Sequence, residues 1–129
     1  MSAPFDTARP AVTVEDLRVT FGRKKTSAIK AVDGVSFAVK QGEIFGVIGE
    51  SGSGKSTLGR CMVCLVPPSG GKVLHGDLSP FSLSRAELNR HRRKYQIISQ
   101  DPNAAFDPRM TMLQSLCEPL NIARSGTRA

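Results

Sequence analysis

The sequence predicts an α/β fold with an extra β element at its front. Three observations predict it. Strand-type segments rich in β-branched residues come first in the chain. A short apolar run, "IFGVIG" at residues 44–49, leads directly into a glycine-rich turn. An apolar spacing of helical period follows that turn at once. Strand, turn and helix in that order are the unit from which α/β folds are built.

The elements follow in order. Residues 1–10, "MSAPFDTARP", carry two prolines and small polar residues and read as a loose terminus. "AVTVEDLRVTF", residues 11–21, has β-branched residues at near-alternating positions and reads as a strand. "GRKKTSAIK" is polar and reads as a loop. "AVDGVSFAV" predicts two short strand-like pieces, with Val35, Phe37 and Val39 on one face. "KQGE" is a turn, and "IFGVIG" suits a strand buried on both faces.

Leu58, Cys61, Met62 and Leu65 then predict a helix over residues 55–66, ended by "PPSGG". "KVLHGD" predicts a strand and turn. In "SLSRAELNRHRRK", Ser84 and Glu87 have the spacing of a capping box and start a second helix. "YQIIS", residues 95–99, reads as a strand, and "QDPNAAFDPR" as a loop marked by two Asp-Pro pairs. "TMLQSLCEPLNIA" predicts a helix that Pro119 interrupts, and the tail reads as frayed.

Composition narrows the function classes. The 129 residues fit one domain, with 40% hydrophobic and 22% charged residues. A net charge of +7 admits a polyanionic partner: nucleic acid, an anionic membrane face or a phosphorylated small molecule. The densest basic cluster, "RHRRK" at residues 90–94, reads as a solvated helix face. No aromatic stacking pattern or nucleic-acid module surrounds it, so no nucleic-acid partner is expected. The apolar runs fall far short of the ~20 residues that span a bilayer. The N-terminus lacks the apolar core of a signal peptide, and a cytoplasmic chain is expected.

Three cysteines do not suggest a disulfide framework. Cys61 and Cys64 form a C-x-x-C, but zinc would need further ligands. Cys117, His75 and His91 remain, and none shows paired spacing. Buried, inert thiols on a packed helix are expected.

The motif that carries chemistry is "GESGSGKST". Gly49, Gly54, Lys55 and Ser56 satisfy G-x-x-x-x-G-K-[ST] in full. Backbone N–H groups must wrap a polyphosphate closely, and glycine permits that approach with positive φ. The helix starting at the loop turns its positive end toward the same anion. Residues Gly49, Glu50, Ser51, Gly52, Ser53, Gly54, Lys55, Ser56 and Thr57 are the expected binding residues. Lys55 supplies charge at the β- and γ-phosphates, Ser56 an oxygen for Mg²⁺, and Thr57 a donor toward the α-phosphate.

Such a loop alone does not separate GTPases, kinases, helicases and transport ATPases. The flanking residues do. "AVDGVSFAVKQGEIFGVIGESGSGKSTLGRCMVCLVPPSGGKVLHGD" resembles the ATP-binding subunit of ABC transporters, and "YQIISQDP" resembles that family's Q-loop strand. "GESGSGKSTLGR", "QDPNAAFDPRM" and "EPL" resemble the oligopeptide/dipeptide importer type. Nickel and other small-solute importers are the nearest alternative. The resemblance covers residues 12–122, read as the N-terminal part of a nucleotide-binding domain, with 1–11 and 123–129 as loose termini.

The resemblance implies an ABC-type P-loop NTPase fold, with an antiparallel β element before the P-loop strand and helix. It implies ATP and Mg²⁺ as ligands. It implies as partners a second ATP-binding subunit, identical or not, and transmembrane permease subunits, with the chain on the inner face of the plasma membrane. Phe21 falls where the family places an adenine-stacking aromatic. Gln100 falls at the Q-loop position, reaching Mg²⁺ or the attacking water; with Lys55 it is the expected catalytic contribution. Two departures stand out. Ser99 replaces an aromatic, and "AFDPR" at residues 105–109 replaces Ser-Leu-Asn-Pro-Arg; both put coupling to the permease in question.

These 129 residues contain no "LSGGQ"-like signature, no apolar run ending in Asp-Glu, and no histidine after Gln100. The chain therefore reads as an N-terminal fragment, expected to bind ATP without efficient hydrolysis. The family's remaining strands lie beside the P-loop strand. "IFGVIG" is accordingly expected to have an unpaired edge and an exposed apolar face, and the chain to be marginally stable.

Overall fold

A computed structural model describes residues 10–22, 28–101 and 106–125, with side chains up to residue 122. The chain divides into two compact units, residues 1–97 and 98–129.

In the first unit, β1 (Pro10–Phe21), β2 (Ile29–Lys40) and β3 (Gly70–His75) form an antiparallel sheet in the order β2-β1-β3. The near-alternation of β1 has a structural cause. Val14 faces Phe37 on one side and Val73 on the other, while Leu17 faces Val35, with a register shift between them. Asp16 occupies the left-handed region at φ 44°, and its N–H donates to the Ser36 hydroxyl at 2.8 Å. One extra residue reverses which parity points inward. Val14, Leu17 and Val19 are thus all buried, although their spacing is not strictly even.

The two pieces expected around Gly34 form one strand, β2, which begins at Ile29. Val35, Phe37 and Val39 share the less exposed face, as predicted. The loop before β2 lies partly outside the described residues, at 23–27. "KQGE" turns as expected: Gly42 has φ 75°, and the Lys40 N–H donates to the Glu43 carboxylate at 2.7 Å.

Helix α1 (Lys55–Met62) packs on the sheet. Its Leu58 and Cys61 join Val14, Leu17, Val19, Val32 and Val73 in the core. The helix is shorter than its apolar spacing predicted. Cys64 turns left-handed at φ 62°, and Leu65 and Val66 both donate back to the Arg60 carbonyl. Pro67 and Pro68 follow, and a residue before proline is driven out of the helical region. Leu65, expected on the buried stripe, is exposed.

After β3, a short 3-10 turn (Pro80–Ser82) leads to α2 (Arg85–Arg92). The predicted capping box is present. The Ser84 hydroxyl accepts from the Glu87 N–H at 3.3 Å, and the Glu87 carboxylate accepts from the Ser84 N–H at 3.0 Å. The Ser84 hydroxyl also donates to the Glu87 carboxylate at 2.6 Å, and that bond first, then the Ser84 backbone N–H, holds the Glu87 carboxyl below the ordinary carboxylate range. "RHRRK" is not wholly a solvated face: His91 is buried and Arg92 half-buried, while Arg90, Arg93 and Lys94 are exposed.

Two strand expectations are corrected. Residues 44–49 form no strand and have no ladder partner among the described residues, and "YQIIS" likewise forms no strand. A strand exists through its neighbour's hydrogen bonds, and β1, β2 and β3 pair only with one another. Ile44 and Ile48 are 99% and 98% exposed, and Ile98 is 95% exposed. The exposed apolar face expected of residues 44–49 is present at Ile44 and Ile48. Phe45 stacks on Phe37 with ring centroids 4.8 Å apart.

In the second unit, α3 (Met112–Ser125) runs through Pro119 instead of stopping there. Proline removes one backbone donor, and the helix continues around that gap. The start of α3 is well fixed: the Thr111 hydroxyl accepts from the Gln114 N–H at 3.2 Å, and the Gln114 carbonyl accepts from the Thr111 N–H at 2.8 Å. This second reciprocal cap follows the same S/T-x-x-E/Q pattern and was not singled out in the sequence. Among the described residues, no helix is long and apolar enough to cross a membrane.

Candidate functional site

The loop at residues 49–57 is built from β2 outward. Gly54 is the N-cap of α1 at φ 92°, ψ 2°, in the left-handed region. A Cβ there would overlap the backbone carbonyl of Ala31 in β2. Glycine is thus demanded by the approach of the loop to the strand behind it, and not only by clearance toward a ligand. Gly52 is also left-handed, at φ 81°, with open space where a Cβ would point. At Gly49 a Cβ would meet the Ser53 hydroxyl at 2.7 Å, a contact that a rotating side chain can relieve.

The ends of the loop are tied together. The Ser53 N–H donates to the Glu50 carbonyl at 3.2 Å, and the Leu58 N–H donates to Gly54 to open the helix at 2.8 Å. The Lys55 ammonium folds back over the loop. It donates to the Gly49 carbonyl at 2.7 Å and the Glu50 carbonyl at 2.6 Å, with the Ser53 hydroxyl at 3.4 Å. No side chain caps α1, and no acidic residue stands in its first turn. An uncapped helix start presents unpaired N–H groups to an anion. Ser51, Gly52, Ser53 and Ser56 are exposed, and Thr57 is half-buried. A cleft of about 420 Å³ opens between β2 and the loop, lined by Lys30, Val32, Gly49, Gly54, Lys55 and Leu58 among others.

The other expected site residues, Phe21 and Gln100, are outside the loop in sequence. Phe21 ends β1 opposite Ile29 and is 46% exposed. Gln100 is exposed and belongs to the second compact unit. Asp107 accepts from the Arg109 N–H at 2.9 Å and closes a turn to Met110. An asparagine oxygen would serve that turn equally, so the local geometry tolerates the departure at this position.

Cys61 and Cys64 are buried as expected, but only Cys61 is on the helix, and Cys64 lies beyond its end. Cys61, Cys64 and Cys117 are free, the first two fully buried. Burial, then the neighbouring Cys64, pushes the Cys61 thiol up to about 11. Burial also raises Cys64, opposed by the Arg92 guanidinium. Among the described residues, no group of three or more His, Cys, Asp or Glu is placed to hold a metal ion.

Sequence reasoning missed a buried polar cluster. His75, at the end of β3, and His91, in α2, are 7% and 8% exposed and lie Nδ1 to Nε2 at 2.7 Å. The His75 Nε2–H donates to the Met62 carbonyl at 2.8 Å. Tyr95 packs on both rings, at 4.2 Å and 5.2 Å between centroids. Arg92 donates twice to the Cys64 carbonyl, at 2.9 Å and 2.5 Å. Separation in sequence hid the pair, since only the fold brings β3 against α2.

A sheet-backed glycine loop, an open helix start and a lysine folded over the loop define a P-loop protein of the α/β class. Residues 32–128 match the ABC transporter family model, and the chain belongs to that family. It is 44% identical over 100 residues to the oligopeptide transport ATP-binding protein AppF of Bacillus subtilis (strain 168), covering 77% of this chain and 30% of the relative. It is 37% identical over 125 residues to the oligopeptide transport ATP-binding protein OppF of Mycoplasma genitalium, covering 93% of this chain and 14% of that one. The fold aligns at a TM-score of 0.72 and 28% identity with the ATP-binding cassette MJ0796, solved as a dimer in a post-hydrolysis state bound to ADP and Pi; 92% of this chain and 49% of that chain are covered. The chain spans between 14% and 38% of the length of these curated relatives.

Proposed function

We propose that this chain is the phosphate-binding part of the ATP-binding subunit of an ABC importer that takes up peptides. One observation carries the reading: the Lys55 ammonium lies over the carbonyls of Gly49 and Glu50, beside a helix start that has no cap of its own. The donor set fits a triphosphate tail. Backbone N–H groups of residues 49–57 surround the phosphates, and Lys55 turns from the loop carbonyls to the β- and γ-phosphates. Thr57 donates toward the α-phosphate. The Ser56 hydroxyl would supply an oxygen to Mg²⁺, which neutralises charge on the phosphates. Phe21 offers a ring face for adenine, a contact worth on the order of 1–3 kcal/mol for stacked bases.

Gln100 is the residue proposed to reach Mg²⁺ or the attacking water and to report on the permease. An amide orients water without adding charge. Phosphoryl transfer also needs a positioned water and a full electrostatic clamp. These residues supply the clamp's first half, so the 129-residue chain alone binds ATP without efficient turnover. Its proposed partners are a second ATP-binding subunit and membrane permease subunits, at the inner face of the plasma membrane. The peptide assignment rests on the names of its relatives, AppF and OppF.

The test is calorimetric titration with Mg·ATP. Lys55→Ala should weaken binding by roughly 10- to 100-fold, the equivalent of one lost charge-assisted hydrogen bond at about 1.5–3 kcal/mol. Equal affinity in variant and parent overturns the reading.

A further inference from the structure

The His75–His91 cluster sits at the far end of the helix that starts at the phosphate loop. Helix α1 has eight residues and is about 12 Å long, at ~1.5 Å per residue. Its C-terminal turn is held from outside at two carbonyls: Met62 by the His75 Nε2–H, and Cys64 by the Arg92 guanidinium. Both holding residues are fixed in turn by the contact of β3 with α2, which the two imidazoles make. A change of tilt at that end of so short a helix is carried to the first-turn N–H groups at the other.

The hydrogen bonds determine the protonation of the pair. The Met62 carbonyl can only accept, so His75 carries its proton on Nε2. In the neutral pair His75 Nδ1 is then the acceptor, and His91 must donate from Nε2. One added proton can be accommodated across this bond. Two cannot, because two N–H groups would then face each other at 2.7 Å.

The surrounding charges disfavour uptake. The Tyr95 ring packs on both imidazoles, Arg92 is bonded to the carbonyl of Cys64 just beyond α1, and Lys94 acts on His91 from the end of α2; the charged groups among these, Arg92 and Lys94, are cations. Glu87, one turn earlier in α2, is engaged by Ser84, and Asp77 follows β3 by two residues. Burial first, opposed by the Met62 contact, lowers His75; burial and then Lys94 lower His91.

We propose that His75 and His91 are positioning residues for the phosphate loop: the pair anchors the C-terminal end of α1 while it holds at most one added proton, and protonation of both rings in acid opens the anchor and loosens the loop's hold on nucleotide phosphate. The last step rests on the function proposed above. The anchoring step does not.

The experiment compares the 129-residue chain with His91→Gln, whose amide can donate to His75 Nδ1, or accept from it, and does not titrate. Mg·ATP affinity is measured by calorimetry from pH 8 to pH 5; protonation of the nucleotide is common to both proteins. The parent should lose about tenfold more affinity than H91Q over that range, the equivalent of one unit of linked proton binding. Histidine ¹⁵N spectra at pH 8 should show the Nε2–H tautomer for both rings. Amide signals of residues 54–57 should follow the histidine titration in the parent and not in H91Q.

Parallel affinity profiles overturn the proposal. So does either ring in the other tautomer, or loop amides that stay fixed while the histidines titrate. If neither protein binds nucleotide at any pH, the proposed function fails, and the amide signals still decide whether the pair anchors α1.

Discussion

Three glycines near the phosphate loop separate two physical demands that the motif alone confounds. Gly52 is left-handed with open space at its Cβ position, Gly54 is left-handed with the Ala31 carbonyl in that space, and Gly59 sits inside α1 with neither constraint. Alanine at Gly52 should therefore meet only the left-handed penalty, about 1–2 kcal/mol. At Gly54 the same penalty applies, together with the shift needed to clear a backbone carbonyl, about 1–3 kcal/mol for overpacking. The sum is about 2–5 kcal/mol. At Gly59 alanine should stabilise the helix by about 0.5–1 kcal/mol, since glycine in a helix interior is disfavoured by that amount. Urea unfolding followed by far-UV circular dichroism gives the three values, with the slope checked for constancy. The expected order of stability is Gly59→Ala, parent, Gly52→Ala, Gly54→Ala. If Gly54→Ala is no more destabilising than Gly52→Ala, the loop does not press on β2, and the stated reason for that glycine is wrong.

Three other outcomes are expected. Leu17 is wholly buried at the centre of the sheet, so Leu17→Ala should lower unfolding stability by about 2–5 kcal/mol in the same urea assay. Iodoacetamide at pH 8 should label the half-buried Cys117 well before Cys61 or Cys64: with its thiol pushed up to about 11, Cys61 is ionised in only about one molecule in a thousand at that pH. Mass mapping of alkylated peptides reads this directly, and equal labelling of Cys61 and Cys117 would contradict it. Both histidines are lowered from their ordinary value of 6.5, so the unfolded chain binds more protons than the native one as pH falls. Their stability contribution is present above pH 6.5 and is lost below it; denaturation midpoints should fall between pH 7 and pH 5 in the parent and fall less in His91→Gln.

Much of the loop's local structure was legible in the residues. G-x-x-x-x-G-K-[ST] states a spacing, and the spacing is local: glycines, lysine and hydroxyls lie within one turn and the helix after it. Ser84 and Glu87 are local in the same way, as is the turn at Gly42. Local hydrogen bonds and backbone preferences act over a few residues, so a short string encodes them.

What the string did not show depends on partners distant in sequence. Residues 44–49 have strand composition, yet strand structure requires a neighbour, and none among the described residues is there to pair with them. The β1 bulge at Asp16 is fixed by pairing with β2 and β3, and without it Val14 and Leu17 could not both face the core. The Ala31 carbonyl behind Gly54 and the pairing of His75 with His91 exist only because the sheet brings β2, β3 and α2 against α1 and its loop. Sequence alone thus determined which groups could hold a phosphate. Tertiary packing decided what holds those groups in place, because a side chain buried against a remote element has surroundings that its own neighbours in the chain do not supply.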